Sequence, residues 1–321
     1  MATIGTDVEQ AAHLLRNGEL VSIPTETVYG LAGNAFSEPA ILKIFNAKNR
    51  PFSDPLIVHT HSVAEIEKLA VEIPELARQL FETFSPGPLT ILLSRSSLIP
   101  DRVTNGSPLV AVRIPDHPLT LQLLRLLDFP LAAPSANLFG ALSPTLPTHV
   151  NQSLGDKIPY ILDGGPCTIG LESTIIQIVN QHSIKVLRQG GVAEESLLAF
   201  AKLVEDEKTE NQVVPGSMLS HYAPNKPIYI LDKTFDPALF PQGKTGFLGF
   251  SKTDSRFPTE NQILLSPAGD LNEAARNLFA SLHQMDAKSE VEVIVAENFP
   301  NEGVGKAIND RLRRAAAKRG A

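Results

Sequence analysis

The sequence contains one cysteine, no tryptophan and no long apolar run. Because Cys167 is the sole cysteine among 321 residues, an internal disulfide and a zinc site with several thiolate ligands are both excluded. No apolar run approaches the roughly 18 residues that a membrane-spanning helix needs. The N-terminal "MATIGTDVEQ" also lacks the basic and apolar regions of a secretory signal. These absences predict a cytoplasmic protein without a membrane span.

An excess of positive charge is also missing. The formal net charge is -7 at pH 7, and an acidic chain does not coat nucleic acid by charge alone. With 4 tyrosines and no tryptophan, the chain has few aromatic rings on which bases could stack. Any contact with nucleic acid is therefore expected to be local.

Several familiar catalytic motifs are absent. The segment "QGKT" ends like a phosphate-binding P-loop, but Ala238 occupies the position of the first P-loop glycine. The segment "GVGKA" has two glycines of a dinucleotide-binding fingerprint but no third. No HExxH, paired CxxC or GxSxG is present. The sequence thus excludes a standard P-loop NTPase, a zincin and a serine hydrolase with a nucleophile elbow.

Short apolar runs alternate with amphipathic segments along the chain. Runs such as "PLIVH", "LTILLS" and "ESTIIQIV" have strand length, whereas "SEPAILKIFNAK" and "HPLTLQLLRLLD" have helical spacing. Ser37, followed by Glu38 and Pro39, predicts a helix start. The mixture of hairpin-like and crossover-like spacings predicts an α/β fold with a mixed sheet.

A change of composition divides the chain. After residue 194 the sequence becomes helical in pattern and charged, and it then turns into the proline-bounded "PGSMLSHYAPNKP". A compact α/β pattern follows, with helices predicted near 271–285 and 305–317. We predict one domain over 1–205, a linker over 206–226 and a second α/β domain over 227–321.

Polar residues gather where the apolar runs end, which is where open α/β sheets bind their ligands. Lys48 and Arg50 lie two residues apart, so both cations can converge on one polyanion, and arginine adds two-point hydrogen bonding. This pattern predicts a site for phosphates and a small polar acid. The other members of the set are Thr25, Glu26, Thr27, Tyr29, His59, Arg113, Ser135, Asn137, Ser173, Thr174 and Arg188.

Each of these residues also has a purely structural interpretation. Arg113 or Arg188 alone is more often part of an ion pair than a ligand. His59 is equally compatible with a helix cap or a satisfied buried histidine, and "TETVYG" with a turn closed by a threonine. The prediction of a site therefore rests on the whole set of six strand ends.

Five long motifs, in this order, resemble the YrdC-like catalytic domain of threonylcarbamoyl-AMP synthases. They are "SIPTETVYGLAG", "KNRPFSDPLIVH", "PSANLFGALSPT", "DGGPCTIGLESTI" and "LRQGG". The segment "PGSMLSHYAP" and the α/β tail resemble the two-domain form of that enzyme. The resemblance implies a twisted mixed-sheet domain with a concave cleft, followed by a smaller Rossmann-like α/β domain.

The resemblance implies a nucleotidyltransferase that condenses L-threonine, bicarbonate and ATP into threonylcarbamoyl-AMP and pyrophosphate. A threonylcarbamoyl transferase complex would then pass the group to the adenosine beside the anticodon in tRNAs that read ANN codons, so tRNA is involved indirectly. Mg²⁺ would arrive with ATP, without a fixed protein metal site or a tightly bound organic cofactor. Cations would offset the repulsion between the carboxylated threonine and the phosphates.

The resemblance also assigns roles to residues. Lys48, Arg50 and Thr25 would be catalytic, and His59 is a hypothetical base for the amine. The ATP-binding residues would be Lys48, Arg50, Ser135, Asn137, Ser143 and Arg188. The threonine-binding residues would be Tyr29, His59, Arg113 and Ser173. His221 and Tyr222 would form a lid on the linker, which departs from many relatives because "SMLS" at 217–220 lacks basic and aromatic residues.

A different class of function stays open at this point, namely an RNA-binding module with little adenylate chemistry. The basic stretch "RLRRAAAKR" near the C-terminus favours it weakly, since such a stretch is also typical of a solvated helix end. Salt-sensitive tRNA binding that depends on Arg313 and Arg314 but not on Lys48 would distinguish the RNA-binding module from the enzyme.

Overall fold

The computed structural model describes residues 1–204, 222–232, 236, 239–241 and 243–317. These residues form two compact units. The first comprises 1–139, 144–167 and 172–204, and the second comprises 140–143, 168–171 and the described residues from 222 onward. Most of the predicted linker over 206–226, including His221, lies outside the described residues.

Eleven described strands of the first unit form one mixed sheet. Its order is β1-β8-β2-β3-β7-β4-β6-β5-β9-β10-β11, with antiparallel pairs such as β2–β3 and parallel pairs such as β4–β6. The predicted mixed α/β fold is confirmed. The strands are β1 (Thr3–Gly5), β2 (Val21–Ile23), β3 (Gly30–Asn34), β4 (Ile57–His59), β5 (Leu89–Ser94), β6 (Leu109–Arg113), β7 (Leu131–Ala132), β8 (Tyr160–Leu162), β9 (Thr174–Asn180), β10 (Ser183–Arg188) and β11 (Lys202–Leu203).

Helices cover both faces of this sheet. Leu31 and Ala32 are neighbours on β3 and point to opposite faces, as alternation along a strand requires. Leu31 belongs to the core with α2, α3 and α4, and Ala32 to the core with α1 and α6. The helices are α1 (Val8–Arg16), α2 (Glu38–Lys48), α3 (Val63–Leu69), α4 (Glu75–Phe84), α5 (Asp101–Thr104), α6 (Pro118–Leu126), α7 (Pro147–Leu154) and α8 (Glu194–Leu197).

The ends of α2 place the first candidate site residues. The Ser37 hydroxyl accepts a hydrogen bond from the backbone N–H of Ala40 at 3.4 Å, so the predicted helix start is confirmed. Asn49 ends the helix in the left-handed conformation, with φ of 52°, which an L-residue other than asparagine or glycine adopts at a cost. The chain turns there, directly between Lys48 and Arg50.

The second unit contains a four-stranded parallel sheet with the order β12-β15-β13-β14. Its strands are β12 (Ile228–Ile230), β13 (Thr245–Gly249), β14 (Gln262–Leu264) and β15 (Val293–Ala296), and its helices are α9 (Leu271–Ala287) and α10 (Gly305–Ala316). Parallel strands of one sheet need crossover connections, and α9 lies in the connection that links β14 to β15 on the other side of β13. The two helices predicted near 271–285 and 305–317 are both present.

The structure differs from the prediction around residue 194. Up to residue 204, where the described part of the charged helical pattern ends, the structure has the short α8, and Lys202 and Leu203 form β11 beside β10. Pairing with β10 determines that residues 202–203 form a strand, and local helical periodicity does not reveal such pairing. Among the described helices, none is long and apolar enough to cross a lipid bilayer.

Candidate active site

Thr25 closes the loop that follows β2. Its hydroxyl oxygen lies 2.8 Å from that of Thr27 and 2.6 Å from the Val28 carbonyl oxygen, and it accepts the backbone N–H groups of both residues at 3.2 Å. The side chain therefore makes the turn that the structural interpretation expected. Its predicted catalytic role stays a prediction.

Arg113 ends β6 and lies beside this loop. Its Nε donates to the Gly87 carbonyl at 3.1 Å, and its Nη1 donates to the Thr27 hydroxyl at 2.9 Å. Its Nη2 lies 2.6 Å from Oε1 of Glu26, and both side chains are 4% exposed. The contact is an ion pair without the alignment of a hydrogen bond. The structure thus holds a guanidinium and a carboxylate together in the interior of the first unit.

Lys48 reaches the loop that carries Ser135 and Asn137. Its Nζ donates to the Ser135 carbonyl at 2.5 Å and to the Asn137 carbonyl at 2.6 Å. Burial, followed by the nearby charge of Arg50, lowers the pKa of Lys48 well below its usual value. Four residues predicted to bind ATP, two from "KNR" and two from "SAN", are therefore brought together.

Arg50 is held by its own loop. Its Nε donates to the Asp54 carbonyl at 3.0 Å, its Nη2 donates to the Pro55 carbonyl at 2.7 Å, and the same Nη2 lies 3.0 Å from Oδ2 of Asp54. Both members of this ion pair are buried. Sequence reasoning missed Asp54, because the contact depends on the loop after α2 and not on helical spacing.

His59, Arg113 and Thr90 lie at the same level of three adjacent strands. Arg113 pairs with His59 across β4 and β6, and with Thr90 across β5 and β6. Burial, and next the charge of Arg113, lowers the pKa of His59 to about 3. Its Nδ1 lies 3.2 Å from the Ile57 carbonyl oxygen, so Nδ1 is the donor. A histidine with this pKa is neutral and only weakly basic at physiological pH. The hypothesis that His59 is the base stays a prediction.

Ser173 connects this row to Arg188. Its hydroxyl lies 2.7 Å from that of Thr90, and Arg188 donates to the Ser173 carbonyl from Nε at 3.1 Å and from Nη2 at 2.9 Å. The Nη2 also donates to the Ser173 hydroxyl at 3.1 Å. Sequence reasoning missed Thr90, because its contribution depends on strand register.

Tyr29 ties the first loop to the "DGG" loop. Its hydroxyl donates to the Gly165 carbonyl at 2.7 Å and accepts from the Gly164 N–H at 3.1 Å. Burial raises the pKa of Tyr29 above its usual value. A Cβ on Gly164 would lie 2.5 Å from Nε2 of His117, so only glycine fits this close approach. Tyr29 thus positions a loop, and its contact with threonine stays a prediction.

Two further predicted residues belong to the second unit. The Ser143 carbonyl lies 3.2 Å from Nε2 of His283 on α9. Tyr222 has a φ of 64° and a buried ring, which lies 5.7 Å from the Phe279 ring and 4.9 Å beneath the Arg311 guanidinium. The lid role of Tyr222 stays a prediction.

Within the described parts of the chain, no cluster of three or more His, Cys, Asp or Glu side chains could hold a metal ion.

Comparisons with known proteins match both parts of the chain. Residues 13–190 match the Sua5/YciO/YrdC family model, which is described as Telomere recombination. Residues 180–317 match the model described as Threonylcarbamoyl-AMP synthase, C-terminal domain. The threonylcarbamoyl-AMP synthases of Bacillus subtilis and Pyrococcus abyssi are both 38% identical; the alignments cover 99% and 96% of this chain, and 95% and 94% of those proteins.

Solved structures agree with these matches. The crystal structure of Pyrococcus abyssi Sua5 complexed with L-threonine is 36% identical, covers 99% of this chain and 98% of its own, and has a TM-score of 0.86. Escherichia coli YciO is 20% identical over 59% of this chain and 96% of its own, with a TM-score of 0.52, so it shows the fold alone. The family predicted from the motifs is confirmed: the chain belongs to the two-domain threonylcarbamoyl-AMP synthases, which are nucleotidyltransferases.

Proposed function

We propose that this chain condenses L-threonine, bicarbonate and ATP into threonylcarbamoyl-AMP, with release of pyrophosphate. The observation that carries the proposal is the buried convergence of Lys48 with the loop of Ser135 and Asn137. It is found in a family whose Pyrococcus abyssi member has been crystallised with L-threonine.

The nucleotide side needs positive charge at the phosphates. Lys48 and Arg50 are both buried, and burial followed by the charge of Arg50 lowers the pKa of Lys48. A phosphate group beside Lys48 reverses this effect, because an anion favours the protonated amine. Lys48 would then leave the two loop carbonyls and donate to ATP, which brings Mg²⁺ as part of the substrate.

The threonine side needs a cation for the amino-acid carboxylate, and Arg113 supplies it. Its two neighbours in the row, His59 and Thr90, provide a neutral ring and a hydroxyl. The threonine amine and bicarbonate combine to a carbamate and water. A carbamate oxygen then forms a bond to the α-phosphorus of ATP, while the bond from that phosphorus to pyrophosphate breaks. No covalent intermediate with the protein is required, so positioning and electrostatics carry the rate.

The product is a reactive mixed anhydride, which an acceptor must consume. We propose that a threonylcarbamoyl transferase complex is this acceptor, and that the group reaches the adenosine beside the anticodon of tRNAs reading ANN codons. The names of the curated relatives support the first step. The burial of Arg113 would keep water away from the intermediate.

The experiment follows the carbon of bicarbonate into the product. With ¹³C-bicarbonate, L-threonine and MgATP, mass spectrometry should detect threonylcarbamoyl-AMP that is heavier by one unit, in equal amount to pyrophosphate. Lys48→Ala should abolish this product, whereas Lys68→Ala, a change of an exposed lysine paired with Glu65, should not. Pyrophosphate release with unlabelled AMP as the sole nucleotide product would contradict the proposal.

A further inference from the structure

Asp54 is a buried carboxylate in the loop after α2, and sequence reasoning assigned it no role. Its side chain is 0% exposed, and its Oδ2 lies 3.0 Å from Nη2 of Arg50 in an ion pair. The backbone N–H of Asp54 donates to the Pro51 carbonyl at 3.1 Å, and that of Leu56 donates to the Val103 carbonyl at 2.8 Å. The backbone is therefore anchored on both sides of this carboxylate.

The same loop holds the guanidinium of Arg50 at several points. Besides the ion pair, Nε of Arg50 donates to the Asp54 carbonyl at 3.0 Å, and Nη2 donates to the Pro55 carbonyl at 2.7 Å. The carboxylate and the two carbonyls thus contact one edge of the planar group, the edge that carries Nε and Nη2. A guanidinium held in this way already has a fixed orientation, so that ligand binding need not order it.

The charge of Asp54 also acts on the second cation of this region. Lys48 and Arg50 are both buried, and two like charges in the interior repel each other. Burial and then the charge of Arg50 lower the pKa of Lys48, whereas the charge of Asp54 raises it. Asp54 therefore favours the protonated amine, which is the form that can donate to a phosphate.

We propose that Asp54 is a positioning residue for ATP, because its carboxylate fixes the Arg50 guanidinium and offsets the charge of two buried cations before the phosphates arrive. This inference rests on the proposed function and deepens it. Asp54 acts through Arg50 and needs no contact with ATP. Without the carboxylate, Arg50 would lose one of the contacts that orient it and would repel Lys48 without compensation. The two cations would then no longer meet the phosphates in a preformed arrangement.

Steady-state kinetics of pyrophosphate release by the full chain separate positioning from a purely structural role. Asp54→Asn nearly keeps the shape of the side chain but removes its charge. It should raise KM for ATP about tenfold or more and change KM for threonine by less than about twofold. Asp254→Asn is the matched control, because it removes the carboxylate of an ion pair with Arg256 in the second unit. It should change neither KM.

A double-mutant cycle tests whether Asp54 acts through Arg50. Arg50→Gln should raise KM for ATP at least as much as Asp54→Asn does. Once the guanidinium is gone, the carboxylate has nothing left to orient, so the double variant should have the same KM for ATP as Arg50→Gln alone. A further rise in the double variant, equal to that caused by Asp54→Asn in the wild type, would overturn the inference.

Two results with the single variant would also overturn it. An unchanged KM for ATP would mean that the ion pair serves the fold alone, and an equal rise in both KM values would mean a general loss of the site. If Asp54→Asn does not fold, Asp54→Glu keeps the charge but displaces the carboxylate by one methylene. It should raise KM for ATP more than about twofold and leave KM for threonine unchanged, and an unchanged KM for ATP would again overturn the inference. A wild type that releases no pyrophosphate with ATP, threonine and bicarbonate would instead overturn the proposed function.

Discussion

The depressed pKa of His59 predicts how stability depends on pH. In the unfolded chain the pKa of this histidine is near its ordinary value of 6.5, whereas burial in the folded protein lowers the pKa to about 3. Between these values the unfolded state binds more protons, so stability must fall as pH falls through 6.5. The loss attributable to His59 is about 2 kcal/mol between pH 7 and pH 5, and about 4 kcal/mol between pH 7 and pH 3.

The assay compares unfolding free energies of the wild type and His59→Gln by urea denaturation at pH 7 and pH 5. The carboxylates titrate in both proteins, so their contribution cancels in the difference between the two unfolding free energies. The variant should therefore gain about 2 kcal/mol relative to the wild type on going to pH 5. His182→Gln, in the exposed turn between β9 and β10, is the matched control. A difference between variant and wild type that is the same at both pH values would refute the reasoning.

Two substitutions and one labelling experiment test the network around the site. Ser173→Ala should cost about 1 to 3 kcal/mol of unfolding free energy in urea denaturation, because it removes the hydroxyl partner of Thr90 and Arg188; an unchanged midpoint would speak against these contacts. Burial raises the pKa of Cys167 to about 12, so iodoacetamide at pH 8 should label it only after unfolding, and rapid labelling of native protein would contradict that burial. Tyr29→Phe should lower the unfolding free energy by about 1 to 2 kcal/mol in urea denaturation, because the Gly164 N–H and the Gly165 carbonyl lose their partner. Unchanged stability would show that the hydroxyl does not hold the loop.

Local signals in the sequence predicted much of the fold. The N-cap at Ser37, the helices α9 and α10 and the mixed sheet all follow from short-range patterns. The helical prediction for the residues directly after α8 was wrong, because Leu203 pairs with Ile184 of β10 and so forms β11. Local helical periodicity cannot reveal a partner strand elsewhere in the chain.

The site was predictable as a set of residues but not as an arrangement. The motifs selected Lys48 and the "SAN" loop, yet only folding shows that the amine lies on two carbonyls of that loop. The pairing of Glu26 with Arg113 depends on β6 reaching the loop after β2, across 86 to 87 positions of sequence. Periodicity carries no information about such a contact. The roles assigned to the individual site residues stay predictions.

The measurement that tests the central claim most directly is pyrophosphate release from ATP with threonine and bicarbonate each supplied or withheld. The account predicts release only when both are present, and its loss in Lys48→Ala, because the buried lysine would hold the phosphates of ATP. Release without threonine, or undiminished release in Lys48→Ala, would contradict it.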